Sequence, residues 1–349
     1  MNKKIKKILQ NLLLLLGGLL FFFLMLEVGL RIFFPQTLSI ATFDENYGLS
    51  MKANTEIMFY NKQLVREFGH SVKTNSDGLR EDVDYSFEED GFRILSIGDS
   101  FTFGNGVESN ETFTKLLEKQ LKEDSGELEV INFGVSGIEP SHYYKRLEHK
   151  GLKYHPDMVL VNIFVGNDFG YEIETVNFKP NNPNPLPFWI ASKSHAFKFL
   201  YVLMNNYAKP LLSSKEKPNL PTIYSSTERY NKIMNSFREA VPEFNKLAKQ
   251  NGIELVFVIL PDRGQVDDNL WEKLLDSHKS SENASRFQVQ KDLQNIFDET
   301  NSKYIDTTPF LVKLNKNNTF YYNIDGHLNT KGHELVGSVL YSKLKTEIP

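Results

Sequence analysis

Cysteine is absent from the 349 residues. Disulfides, thiol nucleophiles and cysteine-ligated metals are therefore excluded. The absence is compatible with either side of a membrane and assigns no compartment. A strong charge of one sign is lacking as well. A net charge of -4 and a pI near 6.1 make no general case for nucleic-acid binding. Internal repeats and long low-complexity tracts are missing, apart from one apolar run at the amino terminus. What is present is ordinary for a globular chain, with 40% hydrophobic and 24% charged residues. The length gives room for one large domain or two small ones with a sizeable core.

The amino terminus carries the first constraint. Lys3, Lys4, Lys6 and Lys7 precede a charge-free run from Leu12 to Leu26. Counted from Ile8 to Leu30, a helix would be roughly 34 Å long at about 1.5 Å per residue, enough to cross a bilayer. The lysines favour a cytoplasmic amino terminus. Glu27 and Arg31, one turn apart, can pair at the far interface. The competing reading is a cleaved signal peptide. No small-x-small site follows the core, and bulky Arg31-Ile-Phe-Phe-Pro35 stands where cleavage would fall. The expectation is an uncleaved single-pass anchor within residues 1–34, with the rest of the chain extracytoplasmic.

Residues 35–91 are mixed and polar, and are expected to pack on the domain as irregular structure and short strands, with a turn at Asn75–Arg80. From Phe92 a β–α alternation sets in. Strands are expected at Phe92–Ile97, Leu128–Asn132, Asp157–Val165, Ile253–Leu260 and Tyr304–Asp306. Helices are expected from Asn110 as N-cap to Lys122, from Pro140 to Lys150, and from Thr227 to Gln250 with a kink or break at Pro242. Two more should run from about Asn283 to Glu299 and from a Thr330 cap to Leu344. Residues 169–224 interrupt the rhythm with Pro180, Pro183, Pro185 and Pro187 followed by an aromatic run. This insertion is suited to covering a site or facing a membrane, and equally to structural elaboration. Strands separated by helices predict βαβ units and a parallel sheet.

The first of these strands ends at Gly98-Asp99-Ser100. A serine there, on a turn into a helix, lies where open α/β sheets place ligand chemistry, and the turn's amides can face a developing negative charge. By itself the stretch reads equally as a plain turn in which Asp99 and Ser100 satisfy backbone donors. Three further motifs follow: Asn132-Phe-Gly-Val-Ser-Gly137, Gly166-Asn167-Asp168 and Asp325-Gly-His327. Acyl transfer by a serine needs a base, a group to orient the base, and donors for the oxyanion. The four motifs supply each part. Asp99 is expected to brace its turn, Asp168 to orient the Asn167 turn, and His333 to pack or lie at the surface. His70, His142, His149, His155 and His195 default to structure. A metal site from His327, His333 and an aspartate would leave Ser100, Gly137 and Asn167 without a role.

In this order the motifs resemble the blocks of the GDSL/SGNH hydrolase superfamily over roughly Phe92–Leu344. The resemblance implies a three-layer α/β/α sandwich with a five-stranded parallel sheet in flavodoxin-like order, preceded here by the transmembrane helix. It further implies Ser100 as nucleophile, His327 as base and Asp325 as its orienting carboxylate. The backbone N–H groups of Ser100 and Gly137 and the side-chain amide of Asn167 would form the oxyanion hole. Gly137 rather than Gly134 matches the family's functional glycine. The commonest family pattern places two residues between aspartate and histidine, whereas only Gly326 intervenes here. The Asp-x-His spacing, like the Asn75–Arg80 turn, is similar to membrane-associated branches related to polysaccharide O-acetyltransferases.

The resulting expectation is a membrane-anchored, extracytoplasmic serine esterase. It would cleave small acyl esters, acetyl above all, on cell-surface glycans, with no metal or organic cofactor and no nucleic-acid partner. The alternative is an O-acyltransferase using the same triad, with a membrane partner enzyme. A third reading is a non-catalytic module that binds a glycan or a partner.

Overall fold

The computed structural model describes residues 3–61, 65–88, 91–168, 173–175, 177–179, 189–208, 220–278, 284–316 and 320–349. Helix α1 (Lys3–Phe33) comes first, and by length and composition it is able to cross a membrane. Its leucines and phenylalanines are largely exposed. Two antiparallel hairpins follow, β1 (Ala41–Asp44) with β2 (Gly48–Met51) and β3 (Glu56–Tyr60) with β4 (Gly69–Lys73).

The α/β portion then runs β5 (Phe92–Ile97), α2 (Ser100–Phe103), α3 (Phe113–Ser125), β6 (Leu128–Asn132), α4 (Pro140–His149), β7 (Met158–Phe164) and α5 (Val165–Asp168). Within the insertion lies α6 (His195–Leu203). After it come α7 (Glu228–Gln250), β8 (Glu254–Leu260), α8 (Arg263–Val266), α9 (Asp268–Ser277) and α10 (Gln288–Glu299). The chain closes with β9 (Lys303–Asp306), α11 (Thr308–Leu314) and α12 (Thr330–Leu344).

Strands β5 to β9 form one parallel sheet in the order β6-β5-β7-β8-β9. This is flavodoxin-like order, with the switch point at β5 beside β7. The apolar runs in the sequence are those of strands covered on both faces, and all seven residues of β7 are buried. Alternate residues feed opposite layers. Leu95, Val159 and Phe257 pack with α4, α7 and α10, while Ile94, Leu160 and Val256 pack with α3 and α12. The architecture is therefore the expected three-layer α/β/α sandwich.

Several element boundaries differ from the sequence expectation. Asn110 does not cap α3; it lies in a 3₁₀ turn, Ser109–Glu111, closed by a Glu108/Glu111 capping box, and Thr112 caps the helix instead. Asn329, not Thr330, caps α12 by accepting from Gly332 N at 3.1 Å. Pro242 does not split α7, which runs unbroken from Glu228 to Gln250. It sits on the exposed side above exposed Arg238, so water can satisfy the carbonyl it leaves unpaired. Helix α10 begins at Gln288. Asn283 lies outside the described residues, and Ala284 and Ser285 pair with Ser225 and Tyr224 in extended form.

Candidate active site

Strand β5 runs out at Gly98, where a Cβ would meet Thr102 Oγ1 at 2.1 Å. Asp99 then caps the short helix α2, its Oδ1 accepting from Phe101 N at 2.9 Å. Ser100 is the first residue of that helix and 7% exposed. The chain leaving β6 runs alongside, with Phe133 N donating to Ser96 O and Val135 N to Gly98 O. Asn132 ties the two together, its Nδ2 donating to Thr102 O at 2.8 Å. Gly134 is a point of close approach: a Cβ there would lie 2.3 Å from Phe103 N. Gly137 follows on the same turn, joined to the serine turn by Asn105 Nδ2 donating to Ser136 Oγ at 3.0 Å. Among the described residues, the amides of Ser100 and Gly137 have no protein acceptor. Asn167, on α5 at the end of β7, gives one Nδ2 hydrogen to Asp99 Oδ2 at 2.8 Å and keeps the other.

The opposite side comes from the segment between α11 and α12. His327 Nε2 lies 2.8 Å from Ser100 Oγ, and its Nδ1 is hydrogen-bonded to Asp325 Oδ1. With the ring proton on Nδ1, the serine hydroxyl donates to Nε2. One intervening residue suffices because Gly326 has φ +87°, a left-handed bend that brings the two side chains together. The imidazole packs against Phe101, centroids 4.9 Å apart, and Phe101 in turn stacks on Phe164. A hydroxyl, imidazole and carboxylate in series can activate the hydroxyl as a nucleophile.

The structure thus brings Ser100, His327 and Asp325 into one hydrogen-bonded chain, with Asn167 one step away through Asp99. Asp99 braces its turn as expected. His333 is buried away from this chain, its Nδ1 accepting from Phe113 N at 3.1 Å.

Comparison with known proteins decides the family. The GDSL-like lipase/acylhydrolase family pattern matches residues 96–335. The chain belongs to the GDSL-like lipase/acylhydrolase family. It is accordingly an ester-hydrolysing enzyme. Among solved structures, it is similar to a lipase/acylhydrolase from Enterococcus faecalis, with 16% identity, a TM-score of 0.43, and 74% of this chain and 97% of that one covered. An acetyl xylan esterase aligns with 16% identity, a TM-score of 0.44, and 72% and 100% coverage. An acetylxylan esterase from Geobacillus stearothermophilus, crystallised as a catalytic mutant, aligns with 16% identity, a TM-score of 0.41, and 74% and 96% coverage. No curated protein sequence matches the chain.

Three residues of this GDSL-family esterase escaped sequence reasoning because they lie in the polar stretch before β5. Glu67 accepts from three successive backbone N–H groups of the His327 loop: Asn323 and Ile324 at 2.8 Å and Asp325 at 2.7 Å. Arg80, fully buried, donates to the carbonyls of Phe103, Gly104 and Val107 just past α2. Glu81 accepts from Asn132 N at 2.7 Å and pairs with Lys115. His70 is buried beside this group, and burial followed by the Arg80 charge pulls its imidazole down to about 3, so it stays neutral.

Glu67→Ala should lower kcat roughly 10- to 100-fold by loosening the Asp325–His327 loop, with KM little changed. Glu67→Gln keeps one acceptor oxygen and should recover part of the loss. Steady-state kinetics on both variants checks this, and unchanged kcat in Glu67→Ala would remove the clamp from the account.

Below the site, Asp168 accepts from Tyr143 Oη at 2.9 and 3.0 Å and from Phe164 N at 3.0 Å. Burial first, and then the neighbouring Asp99 carboxylate, push the Asp168 carboxyl well above its usual range. The unfolded chain releases this proton near pH ~4 while the folded chain retains it. The contribution is therefore full below that pH and is lost as pH rises toward the folded value. Asp168→Asn should gain stability relative to wild type between pH 5 and 8, as read by urea unfolding at each pH. A pH-independent difference would contradict the assignment.

Proposed function

We propose that this enzyme is a membrane-anchored serine esterase that removes small acyl groups, acetyl foremost, from glycans outside the cytoplasm. The observation that carries the mechanism is the Ser100–His327–Asp325 hydrogen-bond chain. Ser100 Oγ attacks the ester carbonyl as His327 Nε2 takes its proton, and Asp325 holds the Nδ1–H tautomer and the imidazolium that forms. The negative oxygen of the tetrahedral intermediate rests on the amides of Ser100 and Gly137 and on the Asn167 hydrogen not given to Asp99. His327 protonates the departing alcohol. Water, deprotonated by the same imidazole, then releases the acyl group as an acid and restores Ser100.

The anchor reading is supported by how α1 ends. Glu27 accepts from Ser194 Oγ and Ala196 N, both at 2.8 Å, and Arg31 donates to Lys193 O at 3.0 Å. Phe34 meets Phe199 edge-on, with centroids 6.3 Å apart. Cleavage after α1 would strip the insertion of these partners. The small-acyl, glycan preference follows from the extracytoplasmic placement and from the Asp-x-His spacing.

The test is turnover of p-nitrophenyl acetate, longer p-nitrophenyl esters and an acetylated polysaccharide by the full-length protein in lipid nanodiscs. Acetate released from the polysaccharide, with activity falling as the acyl chain lengthens, is the expected result. A folded protein that hydrolyses none of these but moves acetyl groups between glycans would instead be an O-acyltransferase.

A further inference from the structure

The insertion helix α6 packs against α1. Two of its residues one turn apart mark one side: His195 Nδ1 accepts from Gln36 N at 2.8 Å, and Phe199 packs on Phe34. Phe197 and Leu200, on another side, border a groove of about 490 Å³ whose other wall is Leu20, Phe23 and Leu24 of α1. The α1 positions on this second side lie roughly 15–20 Å nearer the amino terminus than Phe34, at about 1.5 Å per residue. They belong to the charge-free run itself. Tyr201 and Met204 continue the stripe begun by Phe197 and Leu200 at helical spacing, and both are more than half exposed. Trp189, in a short helical turn just before α6, is 62% exposed.

The amino-terminal end of α6 is closed in a manner suited to a poorly hydrated setting. Glu27 accepts from His195 N at 3.1 Å and from Ala196 N at 2.8 Å, and Ser194 Oγ accepts from Phe197 N at 3.1 Å. Helix-end amides that water would otherwise satisfy are thereby held by a carboxylate and a hydroxyl, and Glu27 is itself paired with Arg31.

We propose that α6 and the Trp189 turn form a second membrane contact, a helix lying in the plane of the outer leaflet. Its Phe197–Leu200–Tyr201–Met204 stripe is buried among lipid, and acyl chains fill the groove against α1. This placement rests on α1 spanning the bilayer. If α1 spans, a helix that packs against Leu20–Leu24 is at membrane depth, and its exposed aromatic and apolar side chains meet lipid rather than water. The catalytic unit is then held to the membrane at two elements and is not free to swivel on one.

The chain has two tryptophans, Trp189 and Trp271, so Trp271→Phe leaves Trp189 as the sole tryptophan probe. Full-length Trp271→Phe protein would be reconstituted in phosphatidylcholine vesicles with or without bromine on the acyl chains. Flotation and ester turnover would be measured on the same samples. The expected result is a floating, active protein whose tryptophan emission falls by roughly half or more in the brominated lipid. Flotation with equal emission in the two lipids would overturn the placement of α6 while leaving the anchor intact. Failure of the wild-type protein to float would overturn the anchor and this placement together.

Discussion

Replacing Ser100 with alanine is expected to lower ester turnover by about four to six orders of magnitude, leaving the fold intact. The serine is the first residue of α2 and its hydroxyl makes its close contact with His327 rather than with the core, so little packing is lost. His327→Ala should cost about as much. The double variant should be scarcely worse than either alone, because nucleophile and base act as one unit. Asp325→Asn should lose on the order of 10⁴, since an amide cannot accept from Nδ1–H in the way that fixes the tautomer. Turnover of p-nitrophenyl acetate across the set, with circular dichroism to verify folding, checks all of this. Equal activity in wild type and Ser100→Ala would remove Ser100 from the mechanism.

The second large effect concerns stability. Arg80 is 1% exposed and spends its guanidinium on backbone carbonyls: Phe103 at 2.7 Å, Gly104 at 2.6 Å and Val107 at 2.5 Å. Burial draws its guanidinium down to about 10, so it remains cationic at neutral pH. Arg80→Met fills most of the volume but leaves the Phe103 and Val107 carbonyls without a donor, and Gly104 O with only the long bond from Val107 N at 3.3 Å. The expected loss is roughly 3–5 kcal/mol. Arg80→Lys should rescue little, because a single ammonium cannot span the planar fork's acceptors. Turnover should fall too, since Phe103 and Gly104 directly follow the Ser100 turn. Urea unfolding would measure the loss, and a change below about 1 kcal/mol would mean that water replaces the guanidinium.

The sandwich and the Ser100–His327–Asp325 chain were legible in the sequence for a common reason. Strands buried on both faces, such as Met158–Phe164 with Asn162 its one polar residue, must be almost wholly apolar, and each ends in a turn whose residue types are dictated locally. Glu67 gave no such signal, and Arg80 showed only as the last residue of the Asn75–Arg80 turn, with nothing to mark its buried role. Each is a single charge in a polar stretch, indistinguishable in sequence from a solvated side chain, and each acts by reaching backbone groups brought near only by the fold. For Glu67 those groups lie 256 to 258 residues away. Helix starts failed where two caps compete, as at Asn110 against Thr112, because neighbouring turns decide between residues of similar capping strength. Pro242 does not break its helix because the cost of a missing hydrogen bond depends on whether the orphaned carbonyl faces water, which only the fold decides.

The Glu67 clamp also bears on where the working unit begins. The family pattern opens at residue 96. A polypeptide trimmed to that point would keep Ser100, Asn167, Asp325 and His327 in its sequence. It would lose the carboxylate that gathers the amides of residues 323–325 and the guanidinium beneath the nucleophile turn. Such a fragment would carry every residue of the reaction and still lack the braces that hold them in register. Full turnover is therefore expected to need the chain from about Glu67 onward, well before the point where the family pattern opens.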